Sequence, residues 1–184
     1  MKAIKTPLDG CVIVEPEVFG DHRGWFYEMY SAKKFAELGI ISAFVQDNRS
    51  FSEKKGTLRG LHCQINPKPQ AKLITCLSGA ILDVAVDIRQ GSPSYMRWTS
   101  AELTAENNRM LFVPRGFLHG FITLADNTEV LYKVDEYFSQ SHDRSVYFND
   151  SVLSIDWRIL DPILSDKDRN APVLADSDVR FLYD

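Results

Sequence analysis

The chain has 184 residues, 45% of them hydrophobic, with a net charge of -4, enough apolar material for a substantial core at the usual size of one domain. One domain over residues 1–184 is therefore expected, and the missing positive field argues against coating duplex nucleic acid or an anionic membrane. The opening "MKAIKTPLDG" has no signal-type apolar stretch and nowhere do about 18 apolar residues run uninterrupted, so a soluble cytoplasmic protein is expected.

In chain order, "CVIVEPEVF" is the first strand-like stretch. "SAKKFAELG" reads as a helix, with Ser31 at the N-cap, Phe35 and Leu38 on one face and Gly39 as its stop. "SAFVQDNRSF" and "TLRGLHCQ" return to strand spacing. The second places Arg59 and His62 three residues apart, which strict alternation would send to opposite faces. If both serve one site, a kink or bulge is expected at Gly60, where no side chain stands in the way.

Residues 72–89, "KLITCLSGAILDVAVDIR", read as a hairpin about a Ser-Gly turn. Its second arm sets Leu82, Val84, Val86 and Ile88 against Asp83, Ala85 and Asp87, the pattern of a strand with one buried face. "RMLFVPRGFLHGFITL" and "TEVLYKVDEYF" are strand-like again, and the Asp- and Pro-rich tail from Asp150 reads as loop and short helix. Short strands between Gly, Pro, Asn and Asp punctuation predict an all-β antiparallel sandwich or barrel.

Chemistry is narrowed by what is missing. Cys11, Cys63 and Cys76 are odd in number and scattered, against both a disulfide framework and a structural zinc site. His22, His62, His119 and His142 form no HxH pair, and no G-x-S-x-G elbow or phosphate loop occurs. General acid and base work remains. A histidine is the natural base and a tyrosine a natural acid; His62 and Tyr132 are the candidates, with Tyr132 sharing an inward face with Val130 and Val134. Arg23, Arg59 and Lys72 together could bind a diphosphate, although each alone suits a solvated surface.

Seven collinear stretches between residues 19 and 174 carry a resemblance: "FGDHRGWFYEMY", "FVQDNRSFS", "TLRGLHCQ", "PQAKLITCLSGAILDVAVDIRQGSPSY", "FVPRGFLHGF", "LYKVDEYFS" and "ILSDKDRNAPVL". In this order they resemble the dTDP-4-dehydrorhamnose 3,5-epimerase family. The resemblance implies a jelly-roll (cupin-like) sandwich, a homodimer exchanging its N-terminal strands, no metal or other cofactor, and a nucleotide-linked 4-keto-6-deoxy sugar as substrate. It places the base on His62, the acid on Tyr132 and the carboxylate supporting the histidine on Asp168; Lys72 is well suited to stabilise the enolate oxygen electrostatically. It puts substrate contacts on Arg23, Glu28, Gln46, Asp47, Asn48, Arg59, Lys72, His119, Asp143 and Lys167, and a supporting network on Asp83.

The sequence departs from that pattern at Cys63, Ala71 and Leu118, where a changed pocket wall is expected. It departs also at Phe138, which lacks a tyrosine hydroxyl, and at Asp143, shorter by a methylene than glutamate. An epimerase acting at C3 or C5 alone, on another nucleotide-linked 4-keto sugar, is the alternative within enzymes. A silent sandwich that only binds nucleotide sugars is the alternative outside them.

Overall fold

The computed structural model describes residues 1–183, and short alternating stretches become strands along most of it. β1 (Lys2–Lys5), β2 (Val12–Glu15), β3 (Phe19–Asp21) and β4 (Gly24–Phe26) precede α1 (Ala32–Glu37). β5 (Gln46–Ser52), β6 (Leu58–Gln64), β7 (Lys72–Ser78), β8 (Ala80–Asp87) and β9 (Arg89–Gln90) follow. Then come β10 (Trp98–Thr104), β11 (Met110–Val113), β12 (Phe117–Thr123), β13 (Thr128–Val134) and β14 (Asp143–Ser145). The tail holds α2 (Asp166–Arg169), a 3₁₀ turn at Leu174–Asp176, and β15 (Phe181–Leu182).

Two sheets carry the architecture, one of six strands in the order β1-β2-β11-β7-β13-β5 and one of five in the order β10-β8-β12-β6-β14. Neighbours within both are antiparallel. Ile74 and Val130 of the first sheet pack with Ile81, Ala85, Phe117 and Phe121 of the second, so the two close on one core as a jelly-roll (cupin-like) sandwich.

The stretch 72–89 corrects the expected hairpin. β7 lies between β11 and β13, whereas β8 lies between β10 and β12 in the other sheet. Gly79, at φ +76, turns the chain from one sheet to the other. Nor is only one face of β8 buried. Leu82, Val84, Val86 and Ile88 pack against Leu153, Trp157, Leu174 and Phe181 of the tail, while Asp83, Ala85 and Asp87, on the opposite face, are also fully buried. The tail thus roofs the outer face of the five-stranded sheet. On the other sheet, α1 buries Phe35 against Leu73, Met110 and Phe112. Ser31 is extended at its N-cap without a side-chain capping bond, and Gly39 follows at φ +84. Among the described residues no helix is long and apolar enough to cross a membrane.

Candidate active site

The geometry begins with a slipped register in β6. His62 stands opposite His119 and Arg59 opposite Phe121, so three steps on β6 match two on β12. The slip centres on Gly60, at φ +126, where a Cβ would lie 2.6 Å from Gly120 Cα and 2.8 Å from the His119 carbonyl oxygen. Two facing glycines let the backbones approach, and the extra residue turns Arg59 and His62 into the same cavity.

That cavity, of about 400 Å³, is lined by His62, Tyr132, Lys72, His119, Arg59, Lys167 and Asp168. Asp168 sits in the single turn of α2, where its N–H donates to the Ser165 hydroxyl at 3.1 Å. Its Oδ1 lies 2.5 Å from His62 Nε2. Burial raises the Asp168 carboxyl, but the hydrogen bond and charge of His62, helped by Ser165 and the Gly60 backbone, outweigh it and hold the group below the usual aspartate value. An ionised Asp168 accepts Nε2–H, which leaves the lone pair on Nδ1; Nδ1 has no partner among the described residues.

A second pair lies behind the first. His119 Nε2 is 2.7 Å from Asp83 Oδ1, both side chains are buried, and Asp83 Oδ2 has no partner among the described residues. Burial pushes His119 down and Asp83 up, each away from its charged form. Burial also lowers Lys72, against the opposing pull of Cys63, Asp143 and Asp83; its ammonium forms no ion pair among the described residues. Tyr132 is raised, mainly by burial, so its phenol keeps its proton through neutral pH. The His62 imidazole, the Tyr132 phenol and the buried Lys72 amine therefore open on one space.

Other candidates lie elsewhere in the chain. Arg23 sits on the exposed β3–β4 hairpin, bound to Asp21 at 2.6 Å, and Glu28 pairs with Lys34. Gln46 donates to Asn48 at 2.8 Å, and Asp47 pairs with Lys133 at 2.9 Å along β5; these do not line the cavity. Asp143 reaches its rim through Lys167. The expected change of pocket wall is corrected at three positions: Cys63 and Leu118 pack into the core under the tail, and Ala71 packs beneath α1. Phe138 is exposed beside Gln46, away from the cavity. Burial pushes the Cys11 and Cys63 thiols up to about 12 and Cys76 to about 11, so all three stay protonated and poorly nucleophilic.

Sequence reasoning missed Ser50, Phe121, Ile163 and Ser165 as cavity residues. Only Ser165 carried a local signal, since "SDKD" has a cap residue three positions before an acid. Among the described residues no three His, Cys, Asp or Glu side chains gather as a metal site.

Residues 5–176 match the family described as dTDP-4-dehydrorhamnose 3,5-epimerase. The chain belongs to this family. A member from Shigella flexneri is 45% identical over 179 residues, 97% of this chain and 98% of its own. The crystal structure of the Bacillus anthracis enzyme with TDP and PPi bound is 51% identical, with a TM-score of 0.92 over 94% of this chain and 99% of that one. The Legionella pneumophila epimerase, solved with dTDP-4-keto-L-rhamnose, is 42% identical, with a TM-score of 0.93 over 100% of this chain and 98% of that one. Family membership makes this chain an epimerase, an isomerase of nucleotide sugars.

Proposed function

We propose that the protein inverts C3 and C5 of dTDP-4-dehydro-6-deoxy-D-glucose, giving dTDP-4-dehydro-L-rhamnose. The observation that carries this reading is the opening of the His62–Asp168 pair, Tyr132 and Lys72 on one cavity. The C4 ketone acidifies the hydrogens at C3 and C5, because the electrons left behind delocalise onto the carbonyl oxygen. Nδ1 of His62 takes the proton, Asp168 stabilises the imidazolium, and Lys72 stabilises the enolate oxygen. Tyr132 then returns a proton to the opposite face of the same carbon, and imidazolium and tyrosinate re-equilibrate with solvent. Each general catalyst contributes about 10² to 10⁴ in rate.

Arg59, Lys72, His119 and Lys167 serve as substrate contacts from within the cavity. Asp143 joins them at the rim through Lys167, and Arg23, Glu28, Gln46, Asp47 and Asn48 complete the set once a second copy docks, in a cytoplasmic homodimer of single-domain chains that exchange N-terminal strands. In support, Phe19, Trp25 and Phe26 beside Arg23 leave 56%, 64% and 64% of their surface exposed, more apolar area than a lone hairpin keeps in water without use. The three free, buried cysteines suit a reducing compartment.

The test is incubation in D₂O with dTDP-4-keto-6-deoxyglucose, following C3 and C5 by NMR. Label at both carbons with conversion to the L-rhamno product is expected; label at one makes the protein a single-site epimerase, and label at neither makes it a silent binder. Mixing Arg23→Ala with His62→Asn protein should restore part of the activity if the hairpin of one copy serves the cavity of the other.

A further inference from the structure

The segment that carries Asp168 is tied to β6 at two places. At Ile163 the N–H donates to the Gly56 carbonyl at 2.8 Å and the carbonyl accepts from Leu58 N–H at 2.9 Å, as a parallel bridge beside Thr57. Farther on, the Asp168 carboxylate meets His62 Nε2 at 2.5 Å and takes a hydrogen bond from the Gly60 backbone. The tail thus engages residues 56, 58, 60 and 62, every second position along β6.

Between these anchors the chain leaves the sheet and turns through α2, which is only four residues long. A helix this short has almost no cooperative stability of its own, so its geometry rests on its ends. At the far end Asn170 Nδ2 donates to the Asp166 carbonyl at 2.8 Å. At the near end Ser165 is extended, and its Oγ accepts from Asp168 N–H at 3.1 Å. The amide gripped by the cap and the carboxylate that grips the imidazole therefore belong to one residue. Lys167, the other cavity residue on this turn, is held separately by Asp143.

Resting on the epimerase reading above, we infer that Ser165 is a positioning residue for proton abstraction. Its hydroxyl fixes the Asp168 backbone, the carboxylate then holds the His62 ring as the Nε2–H tautomer, and Nδ1 keeps its lone pair for the substrate. Without the cap the carboxylate loses its fixed place, and the neutral ring shares its proton between both nitrogens. Ser165 also lines the cavity, so direct contact with the sugar is the competing role; that would act on binding and leave the ring as it is.

The experiment reads the ¹⁵N shifts of labelled imidazoles by NMR, at a pH where the ring is uncharged and with His62→Asn identifying the His62 signals. It adds steady-state epimerisation of dTDP-4-keto-6-deoxyglucose, for the unaltered protein, Ser165→Ala, Ser165→Asn and Asn170→Ala. In Ser165→Ala the Nε2–H tautomer of His62 should give way to a mixture, and kcat should fall about two- to tenfold, the order of one capping hydrogen bond, with KM unchanged. Ser165→Asn, whose side-chain oxygen caps as well as a serine, should restore both. Asn170→Ala loosens the far end of the turn and should leave tautomer and kcat in place. A rise in KM at constant kcat would make Ser165 a substrate contact instead, and equal losses in Ser165→Ala and Asn170→Ala would make it a stabiliser of α2 alone. Normal turnover with an unmoved tautomer in Ser165→Ala would overturn this inference by itself, whereas no epimerisation by the unaltered protein would remove the epimerase reading and this inference with it.

Discussion

Two histidine–aspartate pairs stand within one cavity wall, chemically alike and physically different. The His62–Asp168 contact is 2.5 Å, with the imidazole 28% exposed and the carboxylate held by a helix cap and a backbone group. The His119–Asp83 contact is 2.7 Å, with both side chains nearly dry and one carboxylate oxygen orphaned. Solvent access and spare hydrogen bonds keep the first carboxylate charged; their absence drives the second pair toward neutrality. Environment, not residue identity, makes one pair fit to take a proton and the other fit to hold a wall.

The most severe way to break this asymmetry is His62→Asn. Exchange and inversion should both fall by about 10² to 10⁴, and the melting temperature should fall too, because the nearly buried Asp168 carboxylate loses its His62 partner. The same substitution at His119 should lower turnover far less, and equal losses would erase the distinction between the pairs.

Lys72→Met comes next, since this cation's field reaches both Asp83 and His119. Losing an electrostatic stabiliser of the enolate should lower kcat/KM by about 10² to 10³. Stability should move the other way, by about 1 to 2 kcal/mol, because a buried, unpaired charge disappears. The sign follows from proton linkage. Burial lowers the folded-state value of Lys72, so the unfolded chain binds the proton more tightly and the folded state is penalised at neutral pH. The variant's advantage is full below that lowered value and fades as pH approaches about 10.4, the ordinary lysine value. Thermal melts as the pH is raised toward that value read the fading limb.

How legible all this was in the sequence depends on range. Val130, Tyr132 and Val134 share a face by alternation alone, and Gly60 announced the bulge because Arg59 and His62 could meet no other way. β10, "WTSAELT", escaped notice because an edge strand with half-buried Trp98, Thr99 and Ser100 has little apolar alternation. The 72–89 stretch misled because a Ser-Gly turn looks the same whether it closes a hairpin or changes sheets. Asp168 carried no local signal of its partner: His62 lies 106 residues away, and only the family resemblance joined them. Ile163 was hidden for the same reason, its contacts at residues 56 to 58 being far off in the chain.

Asp168→Asn tests the charged pair with less disruption than removing the ring. Exchange should fall by on the order of 10²-fold as the imidazole loses its orienting anion. Because the Asp168 value is depressed in the fold, its contribution to stability is present above about 3.9, the unfolded aspartate value, and is lost as pH falls through the folded value. The variant should therefore melt lower at pH 7, by about 1 to 2 kcal/mol for a charged hydrogen bond partly screened by solvent. Its deficit should close in acid.

Asp83→Asn makes the smallest expected change in turnover, less than about tenfold, since the amide oxygen still accepts from His119 and no reacting atom is touched. Its value lies in the sign of its effect on stability. The folded-state value of Asp83 is raised, so the native carboxyl is no burden below about 3.8, becomes a growing one as pH rises from there, and is a full one once pH passes its folded value. Replacing it should raise the melting temperature at neutral pH, by roughly 2 to 4 °C for each kcal/mol recovered, with no gain in acid. The identical Asp-to-Asn change should thus stabilise behind the cavity and destabilise at its mouth, both differences shrinking toward low pH. Melts of the two variants side by side decide it: shifts of the same sign at pH 7 would mean that burial does not distinguish the two pairs.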